Sequence, residues 1–204
     1  MPAHYRSPQK LRLELAQRAA RLIAEDGIND FMQAKRKAAQ QLGLPAGKYL
    51  PTNAEIEQAL AAYQTLFQGD SQPGDLLRLR RTAGDAMRML QAYHPQLVGP
   101  VLSGTASRHS PVDLHVFSDE TEQIGFLLDR HGIPHRLLDR SLRLGRDTSE
   151  TCPVYHFRAG DIPVNLVVLP LNRRHSAPLS PVDGRPMQRA GLEQVEDMLG
   201  GQGD

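Results

Sequence analysis

Asp113 and His115, in the segment V-D-L-H-V, are the side chains of this chain best placed to do chemistry. Polar and apolar residues alternate there with a period of two, which predicts a strand. Both polar side chains then lie on one face of the strand, and Val112, Leu114 and Val116 lie on the other. Two polar groups held side by side on a strand can share a metal ion. The pattern therefore predicts a metal site on one face of a sheet.

A glycine-containing turn precedes this segment. An apolar run over 98–102, which is predicted to be a strand, leads into S-G-T and a short polar stretch. Glycine lets the backbone turn sharply and approach a ligand closely, and exposed backbone amides can hold a phosphate. The turn therefore predicts a phosphate-binding loop; the alternative is a polar loop that satisfies its own hydrogen bonds. The candidate phosphate contacts are Ser103, Gly104, Thr105, Ser107 and Arg108.

This layout resembles the nucleotidyltransferase fold of the DNA polymerase beta superfamily. Members of that family have a Gly-Ser pair after the first strand, an Asp-x-Asp pair on the next strand and a third carboxylate on a later strand. Gly104 and Thr105 match the first pair conservatively. Asp113 and His115 match the second pair with one carboxylate replaced, and Asn165, in V-N-L-V-V, takes the third position.

The resemblance implies that the chain transfers a nucleotidyl group from a nucleoside triphosphate to an unknown acceptor. Asp113, His115 and Asn165 would then be the catalytic residues. Asp113 would be the principal ligand of a divalent metal, Mg²⁺ or Mn²⁺, with His115 as a further ligand. The backbone at Gly104 and Thr105 would cradle the phosphates.

The replacement of two carboxylates leaves a second hypothesis open. Mg²⁺ prefers hard oxygen ligands, whereas imidazole suits Zn²⁺, Mn²⁺ or Fe²⁺ better. A neutral amide contributes no charge, so a two-metal Mg²⁺ site should be greatly weakened. The alternative is therefore a catalytically inactive copy of the fold that acts as a binding or regulatory module for a protein or nucleic-acid partner.

A long proline-rich segment near the C-terminus is a candidate lid. Prolines stiffen S-A-P-L-S-P-V-D-G-R-P-M, residues 176–187, and its Asp-Gly pair predicts a turn. Long loops in compact domains are often functional. Asp183 or Arg185 could then contact a ligand near Asp113 and Asn165; the alternative is a rigid brace for the last helix.

Several other function classes lack their sequence signals. The histidines of the second half are scattered and do not have the short spacing of a zinc motif. The sequence contains no G-x-S-x-G, no G-x-x-x-x-G-K-[ST] and no G-x-G-x-x-G. A serine hydrolase, an ATP-driven ligase and a dinucleotide enzyme therefore have no support.

The charge of the chain is uneven. Its net charge is +1, but residues 1–96 carry 13 Lys and Arg against 9 Asp and Glu. Basic residues at spacings that share a helix face could track a phosphate backbone or contact a partner. A solvated helix face is the alternative. The basic positions are Lys35, Arg36, Lys37, Arg78, Arg80, Arg81 and Arg88.

The expected location is the cytoplasm. A single cysteine cannot form an internal disulfide, which fits a reducing compartment. No apolar run is long enough for a membrane span, and the first residues are polar rather than typical of a signal peptide. No membrane partner is therefore predicted.

The predicted fold class is α+β. Residues 1–96 should form a helical region with about four helices, and residues 97–204 a nucleotidyltransferase-like region with a small mixed sheet and flanking helices. Helices are predicted over 8–26, 29–42, 53–67, 75–93, 119–131 and 192–199, with Ser7 as the cap of the first and a capping box from Thr52 to Glu55 before the third. Strands are predicted over 98–102, 112–116, 135–138, 142–144, 154–157 and 162–169.

Overall fold

The computed structural model confirms the α+β class. Within the residues that it describes, the chain forms seven α-helices and one five-stranded mixed sheet. The chain divides into two compact units, Met1–Gln72 and Pro73–Asp204. The described residues are 7–45, 47–69, 71–145 and 147–200.

The first unit contains three helices: α1 (Pro8–Asp26), α2 (Phe31–Gln41) and α3 (Asn53–Phe67). The Ser7 side chain accepts a hydrogen bond from the Lys10 amide and caps α1, as predicted. Alanines and branched apolar residues repeat at helical spacing and form the core of this unit. Its buried members include Leu15, Ala19, Leu22, Ala34, Ala38, Ile56 and Leu60.

The predicted capping box at the start of α3 is present. The Thr52 hydroxyl accepts from the Glu55 amide at 3.2 Å, and the Glu55 carboxylate accepts from the Thr52 amide at 2.6 Å. Arg12 of α1 donates to the same carboxylate at 2.7 Å. The hydrogen bond from Arg12 is the main reason why the pKa of Glu55 is lowered to about 2. The cap therefore also joins α3 to α1.

Replacing Glu55 by glutamine should preserve the cap, because glutamine also serves at this position, but should remove the ion pair. The Glu55 carboxylate stabilises the fold above its ordinary pKa of 4.5, and this contribution is lost as the pH falls toward 2. In urea unfolding, the free energy of unfolding of wild type should therefore exceed that of Glu55→Gln near neutral pH. This difference should vanish in acid. Thr52→Ala, which removes the cap itself, should cost about 1 kcal/mol at neutral pH. A difference between wild type and Glu55→Gln that persists in acid would contradict this.

The second unit contains the sheet and the remaining helices. The strand order is β1-β2-β5-β4-β3, with β2 and β5 parallel and the other neighbours antiparallel. The first residue of α4 lies in the first unit and the rest of that helix in the second. The elements are α4 (Gln72–Met89), a 3-10 helix (Gln91–Tyr93), β1 (Gln96–Val98), α5 (Pro100–Ser103), β2 (Val112–Phe117), α6 (Glu122–Arg130), β3 (His135–Arg143), β4 (Ser149–Ala159), β5 (Ile162–Leu169), a 3-10 helix (Leu171–His175) and α7 (Leu192–Gly200).

One face of the sheet forms the main core of the second unit. Even-numbered residues of β2 and β5 point to this face and are completely or almost completely buried. They belong to one apolar cluster with residues of α4, α6 and α7. Members of this cluster include Val112, Leu114, Val116, Val164, Leu166, Val168, Leu79, Met87, Ile124, Leu128 and Val195. The odd-numbered residues of both strands, Asp113 and Asn165 among them, therefore point to the opposite face.

The predicted strand over 98–102 is wrong. β1 ends at Val98, and Pro100–Ser103 form the helical turn α5. Pro100 has no amide hydrogen for a strand ladder, but it suits the first position of a helix. The sharp turn falls at Gly99, with φ 72° and ψ −156°, a region that is essentially open only to glycine. Gly104 instead ends α5.

Gly99→Ala should lower the free energy of unfolding by about 2–3 kcal/mol, because alanine rarely adopts this backbone conformation. A Cβ at Gly99 would also lie 3.5 Å from the Oδ2 of Asp113. The matched control is Gly160→Ala, where φ is 64° and a Cβ would meet no atom within 4 Å. The control should cost about 1 kcal/mol. If urea unfolding showed equal losses of unfolding free energy in the two variants, a special role for Gly99 would be contradicted.

Several other boundaries differ from the prediction. The two short strands around 135–138 and 142–144 form one continuous strand, β3, because β4 extends to Ser149 and pairs with it along its whole length. The 119–131 helix begins only at Glu122. The fourth helix begins at Gln72, with Pro73 in its first turn, rather than at Asp75.

Candidate functional site

A row of polar side chains crosses four strands on the face opposite the main core. Asp113 of β2 is paired in register with Asn165 of β5. Asn165 is paired with His156 of β4, and His156 with Arg136 of β3. Paired residues of neighbouring strands project from the same face. The register therefore brings together two predicted site residues, Asp113 and Asn165, and adds two that the sequence analysis did not select.

Three side chains of this row form a hydrogen-bonded chain. The Asn165 amide nitrogen Nδ2 donates to Asp113 Oδ1 at 2.8 Å, and Asn165 Oδ1 lies 2.8 Å from His156 Nδ1. A carboxylate only accepts, so Asn165 must present its NH₂ group to Asp113 and its oxygen to His156. His156 Nδ1 must then carry the hydrogen, which leaves Nε2 of a neutral ring as an acceptor. The geometry thus orients His156 through Asn165.

Arg140 adds a positive charge to the row. Its Nη1 donates to Asp113 Oδ1 at 3.3 Å. The Asp113 side chain is 17% exposed and that of Arg140 is 42% exposed. Asp113 is therefore accessible from solvent only in part, and the same carboxylate oxygen already accepts from both Asn165 and Arg140.

His115 lies on the same face as Asp113 but is buried, with 1% of its surface exposed. Burial lowers the pKa of His115 to about 3, and the positive charges of Arg189 and Arg140 act in the same direction. Its Nδ1 has no hydrogen-bond partner among the described residues. The predicted alternation is thus present, but His115 does not join the hydrogen-bonded chain.

The side chains at these positions fit a pair of divalent cations poorly. Asp113 supplies the one carboxylate of the row, and it is engaged by an arginine. The position of the second carboxylate holds the neutral His115, close to two positive charges. Within the described residues, no three or more His, Cys, Asp or Glu side chains are grouped so that they could hold a metal ion. Two Mg²⁺ ions would need more negative charge than this row offers.

The predicted phosphate loop makes contacts within itself. Ser103 Oγ lies 3.0 Å from Thr105 Oγ1, and the Ser107 amide donates to Ser110 Oγ at 3.0 Å. Arg108 Nε donates to the neighbouring ring of His109 at 3.0 Å. These contacts are those of a loop that satisfies its own polar groups.

The segment 170–189, which we call the strap, crosses the polar face of the sheet. The Leu179 amide donates to the Arg143 carbonyl on the edge strand β3 at 2.6 Å. Directly after the strap, Ala190 exchanges two backbone hydrogen bonds with Leu97 of the other edge strand, at 2.8 and 3.0 Å. The guanidinium of Arg189 lies 5.3 Å from the centre of the Phe117 ring, which is on the same face as Asp113. The strap therefore covers part of this face.

The two candidate lid residues lie at the exposed turn of the strap. The Ser180 amide donates to the Arg185 carbonyl at 2.7 Å, and the Arg185 amide donates to Asp183 Oδ1 at 3.1 Å. That backbone hydrogen bond is the main reason why the pKa of Asp183 is lowered. These contacts stabilise the turn itself, as expected of a brace.

Sequence reasoning missed His156 and Gly99, although each had a signal. A hairpin with Gly160 and Asp161 at its turn pairs residues 159 and 162, and the same register sets His156 opposite Asn165. Gly99 is followed by Pro100, a pair that favours a turn. Arg140 had no comparable signal, because its contact with Asp113 joins strands that are distant in sequence.

Two of the four arginines on the predicted basic face of α4 are engaged in ion pairs. Arg78 lies 2.9 Å from Asp161. Arg88 contacts Asp85 and Glu196, each at 2.9 Å. These partners neutralise charge that a nucleic-acid phosphate would otherwise meet.

The positive charge that the basic run of α2 presents to solvent is similarly reduced. Lys35 is only 8% exposed, and desolvation lowers its pKa. Lys37 lies 2.8 Å from Asp26. The run is thus not a continuous strip of solvated positive charge.

A cavity of about 160 Å³ lies at the carboxyl ends of β2 and β5. Ligands of open α/β sheets often bind at such an edge. Here Asp119 accepts from the Leu171 amide at 3.0 Å and so holds the start of the strap. Asp113 lies four residues before the end of β2, about 13 Å away along the strand. The cavity therefore does not belong to the polar row.

Comparisons with known proteins do not add to this picture. No protein-family model matches the chain, and no curated protein matches it either. Across the described residues, none of the helices combines the length and the apolar character needed to span a bilayer.

Replacing His115 by leucine should leave the free energy of unfolding near neutral pH within about 1 kcal/mol of wild type, or raise it, because an unpartnered buried nitrogen is removed. The unfolded chain binds a proton at His115 below its ordinary pKa of 6.5, whereas the folded chain does so only near pH 3. Wild-type stability should therefore decrease as the pH falls between these values. In urea unfolding, the free energy of unfolding of His115→Leu should lack this pH-dependent decrease.

His175→Gln, at an exposed histidine of the strap, is the control and should keep the wild-type pH dependence. An equal pH dependence in wild type and His115→Leu would contradict the assignment.

Proposed function

We propose that the second unit is a nucleotidyltransferase-like module that has lost two-metal catalysis and acts as a binding or regulatory module. The observation that carries this proposal is the charge around Asp113. Its carboxylate contacts Arg140, and the neighbouring catalytic position holds the buried, neutral His115. Two-metal transfer depends on negative charge that holds the cations, and this row provides one carboxylate.

The positions of Gly99, Asp113 and Asn165 support the nucleotidyltransferase-like part of the proposal. A glycine directly follows the first strand, an aspartate lies on the second, and the third position lies beside that aspartate on a neighbouring strand. The glycine that fits this layout is Gly99 rather than Gly104, because Gly99 follows β1 and approaches Asp113. The residue after Gly99 is proline, which has neither a hydroxyl nor an amide hydrogen for a phosphate.

A protein partner is favoured over nucleic acid. Four of the seven basic positions of α2 and α4, namely Lys35, Lys37, Arg78 and Arg88, are paired or buried, as described above. The edge strand β3, in contrast, exposes Leu137 (57%) and Leu138 (53%) on its two faces. An edge strand with exposed apolar side chains is suited to pairing with another polypeptide.

An active, divergent transferase is the second candidate, and one observation favours it. Asp113, Asn165 and His156 form a continuous hydrogen-bonded chain that reaches a partly exposed imidazole. Imidazole and one carboxylate suit Mn²⁺ or Zn²⁺ better than Mg²⁺. In that case Asp113 would bind the metal that contacts the nucleoside triphosphate, and His156 would be a ligand or a base.

A thermal-shift screen of the four nucleoside triphosphates, each with Mg²⁺, Mn²⁺ or Zn²⁺, separates the two candidates. The binding-module proposal predicts no metal-dependent rise of the melting temperature in wild type. It also predicts that Asn165→Asp gains a rise with Mn²⁺, because a second carboxylate is placed beside Asp113. A ligand at a hundred times its dissociation constant would stabilise the fold by about 2.7 kcal/mol, which such a screen detects.

Two further variants, Asp113→Asn and Asp139→Asn, complete the thermal-shift experiment. Asp139 is exposed on the other face of β3, so its variant controls for the loss of one negative charge. A metal-dependent shift in wild type that Asp113→Asn abolishes and Asp139→Asn retains would overturn the proposal in favour of the transferase.

A further inference from the structure

Three polar side chains with buried, unpartnered atoms lie together on the polar face. Gln96 and His115 are directly opposed in the β1–β2 pairing, so their side chains are neighbours. Arg189 reaches the same place from the strap, since its guanidinium lies over Phe117, two residues after His115 on β2. We call Gln96, His115 and Arg189 the buried polar cluster.

Part of the hydrogen-bonding capacity of this cluster is unused. Over the part of the chain that the structure describes, four buried side-chain atoms have no hydrogen-bond partner, and all four belong to it. Buried polar atoms in native proteins are nearly always paired with protein, ordered water or an ion. Their concentration in one place points to a ligand site rather than to four separate defects. The atoms are Gln96 Oε1, His115 Nδ1, Arg189 Nε and Arg189 Nη2.

Arg189 presents the edge that recognises oxyanions. Its Nη1 donates to the carbonyls of Arg173 and Arg174 at 3.0 and 3.3 Å, which fixes the plane of the guanidinium. The unpartnered Nε and Nη2 form the opposite edge of the fork. Two parallel hydrogen bonds from this edge to two oxygens of one carboxylate or phosphate are the strongest contacts that arginine makes.

Gln96 narrows the class of anion. Its Oε1 is an acceptor and requires a donor, which a fully ionised carboxylate or sulfate cannot supply. A phosphate that keeps one proton offers both acceptor oxygens for Arg189 and a hydroxyl for Gln96. His115 Nδ1 accepts from or donates to the same group, according to its tautomer. We propose that the buried polar cluster binds a phosphate group that retains a hydroxyl.

This inference does not depend on the proposed function, because it involves neither a nucleotide base nor a metal. The four atoms are buried, so a phosphate reaches them only when the strap moves away from the sheet. The ligand is therefore either free inorganic phosphate or the end of a phosphomonoester. Inorganic phosphate keeps a hydroxyl at neutral pH, and a phosphomonoester keeps one in its monoanionic form, since its second pKa is about 6.

Isothermal titration calorimetry of the full chain with inorganic phosphate, without nucleotide or metal, tests the proposal. Wild type should bind phosphate saturably and sulfate at least about tenfold more weakly, because sulfate has no hydroxyl at neutral pH. Arg189→Lys keeps the charge but loses the fork, and should weaken phosphate binding at least about tenfold. Arg185→Lys, at the exposed turn of the same strap, should bind as wild type does.

A second variant keeps the test decisive if Arg189→Lys does not fold, as judged by circular dichroism. Gln96→Leu removes the acceptor and should abolish the preference for phosphate over sulfate. Adenosine monophosphate and inorganic phosphate, both titrated at about pH 6, where roughly half of the monoester keeps a hydroxyl, distinguish the two sources: tighter binding than inorganic phosphate assigns a phosphomonoester, and weaker binding assigns the free anion. The proposal is overturned if wild type shows no saturable phosphate binding. It is also overturned if phosphate and sulfate bind equally, or if Arg189→Lys binds as tightly as Arg185→Lys.

Discussion

The parallel pairing of β2 with β5 is the constraint on which the polar face depends. It sets Asp113 in register with Asn165 and leaves the even-numbered residues of both strands for the core. Because side chains alternate along a strand, a slip by one residue would exchange the buried valines and leucines for Asp113, His115 and Asn165. The cost of burying those polar groups against α4 and α6 is therefore what keeps the site in place.

The sheet face opposite the main core, which carries the polar row, has one apolar half and one polar half. Near the carboxyl ends of β2 and β5 it is apolar, with Phe117, Val167 and Leu169 in a small core of their own. Toward the other end of β2 it becomes polar, with Asp113, Asn165 and His156 joined by hydrogen bonds. His115 lies between the two halves, which explains why it is buried although it is polar. The strap is anchored at both edge strands and covers part of this face.

Positive charge is the feature that separates this face from a two-cation site. Arg140 contacts Asp113, and Arg189 lies near His115, where it helps to keep the imidazole neutral. Burial lowers the pKa of Arg189 to about 10, which still leaves it charged at neutral pH. Arg189 has no ion-pair partner among the described residues, and a buried cation of this kind attracts an anion more readily than a metal ion. The two proposals made for this unit therefore have the same electrostatic origin.

Local patterns in the sequence were sufficient to predict the helix caps at Ser7 and Thr52. They were also sufficient to predict the alternation that sets Asp113 and His115 on one face. These features depend on interactions within a few residues, so they can be inferred from spacing. The neighbours of Asp113 could not be inferred from spacing, because Asn165 and Arg140 are brought to it by the pairing of strands that lie far apart in the sequence. Nor does spacing reveal whether a polar side chain is solvated. Only the tertiary structure decided that His115 is buried beside Arg189, since burial depends on what packs over a strand rather than on the strand itself.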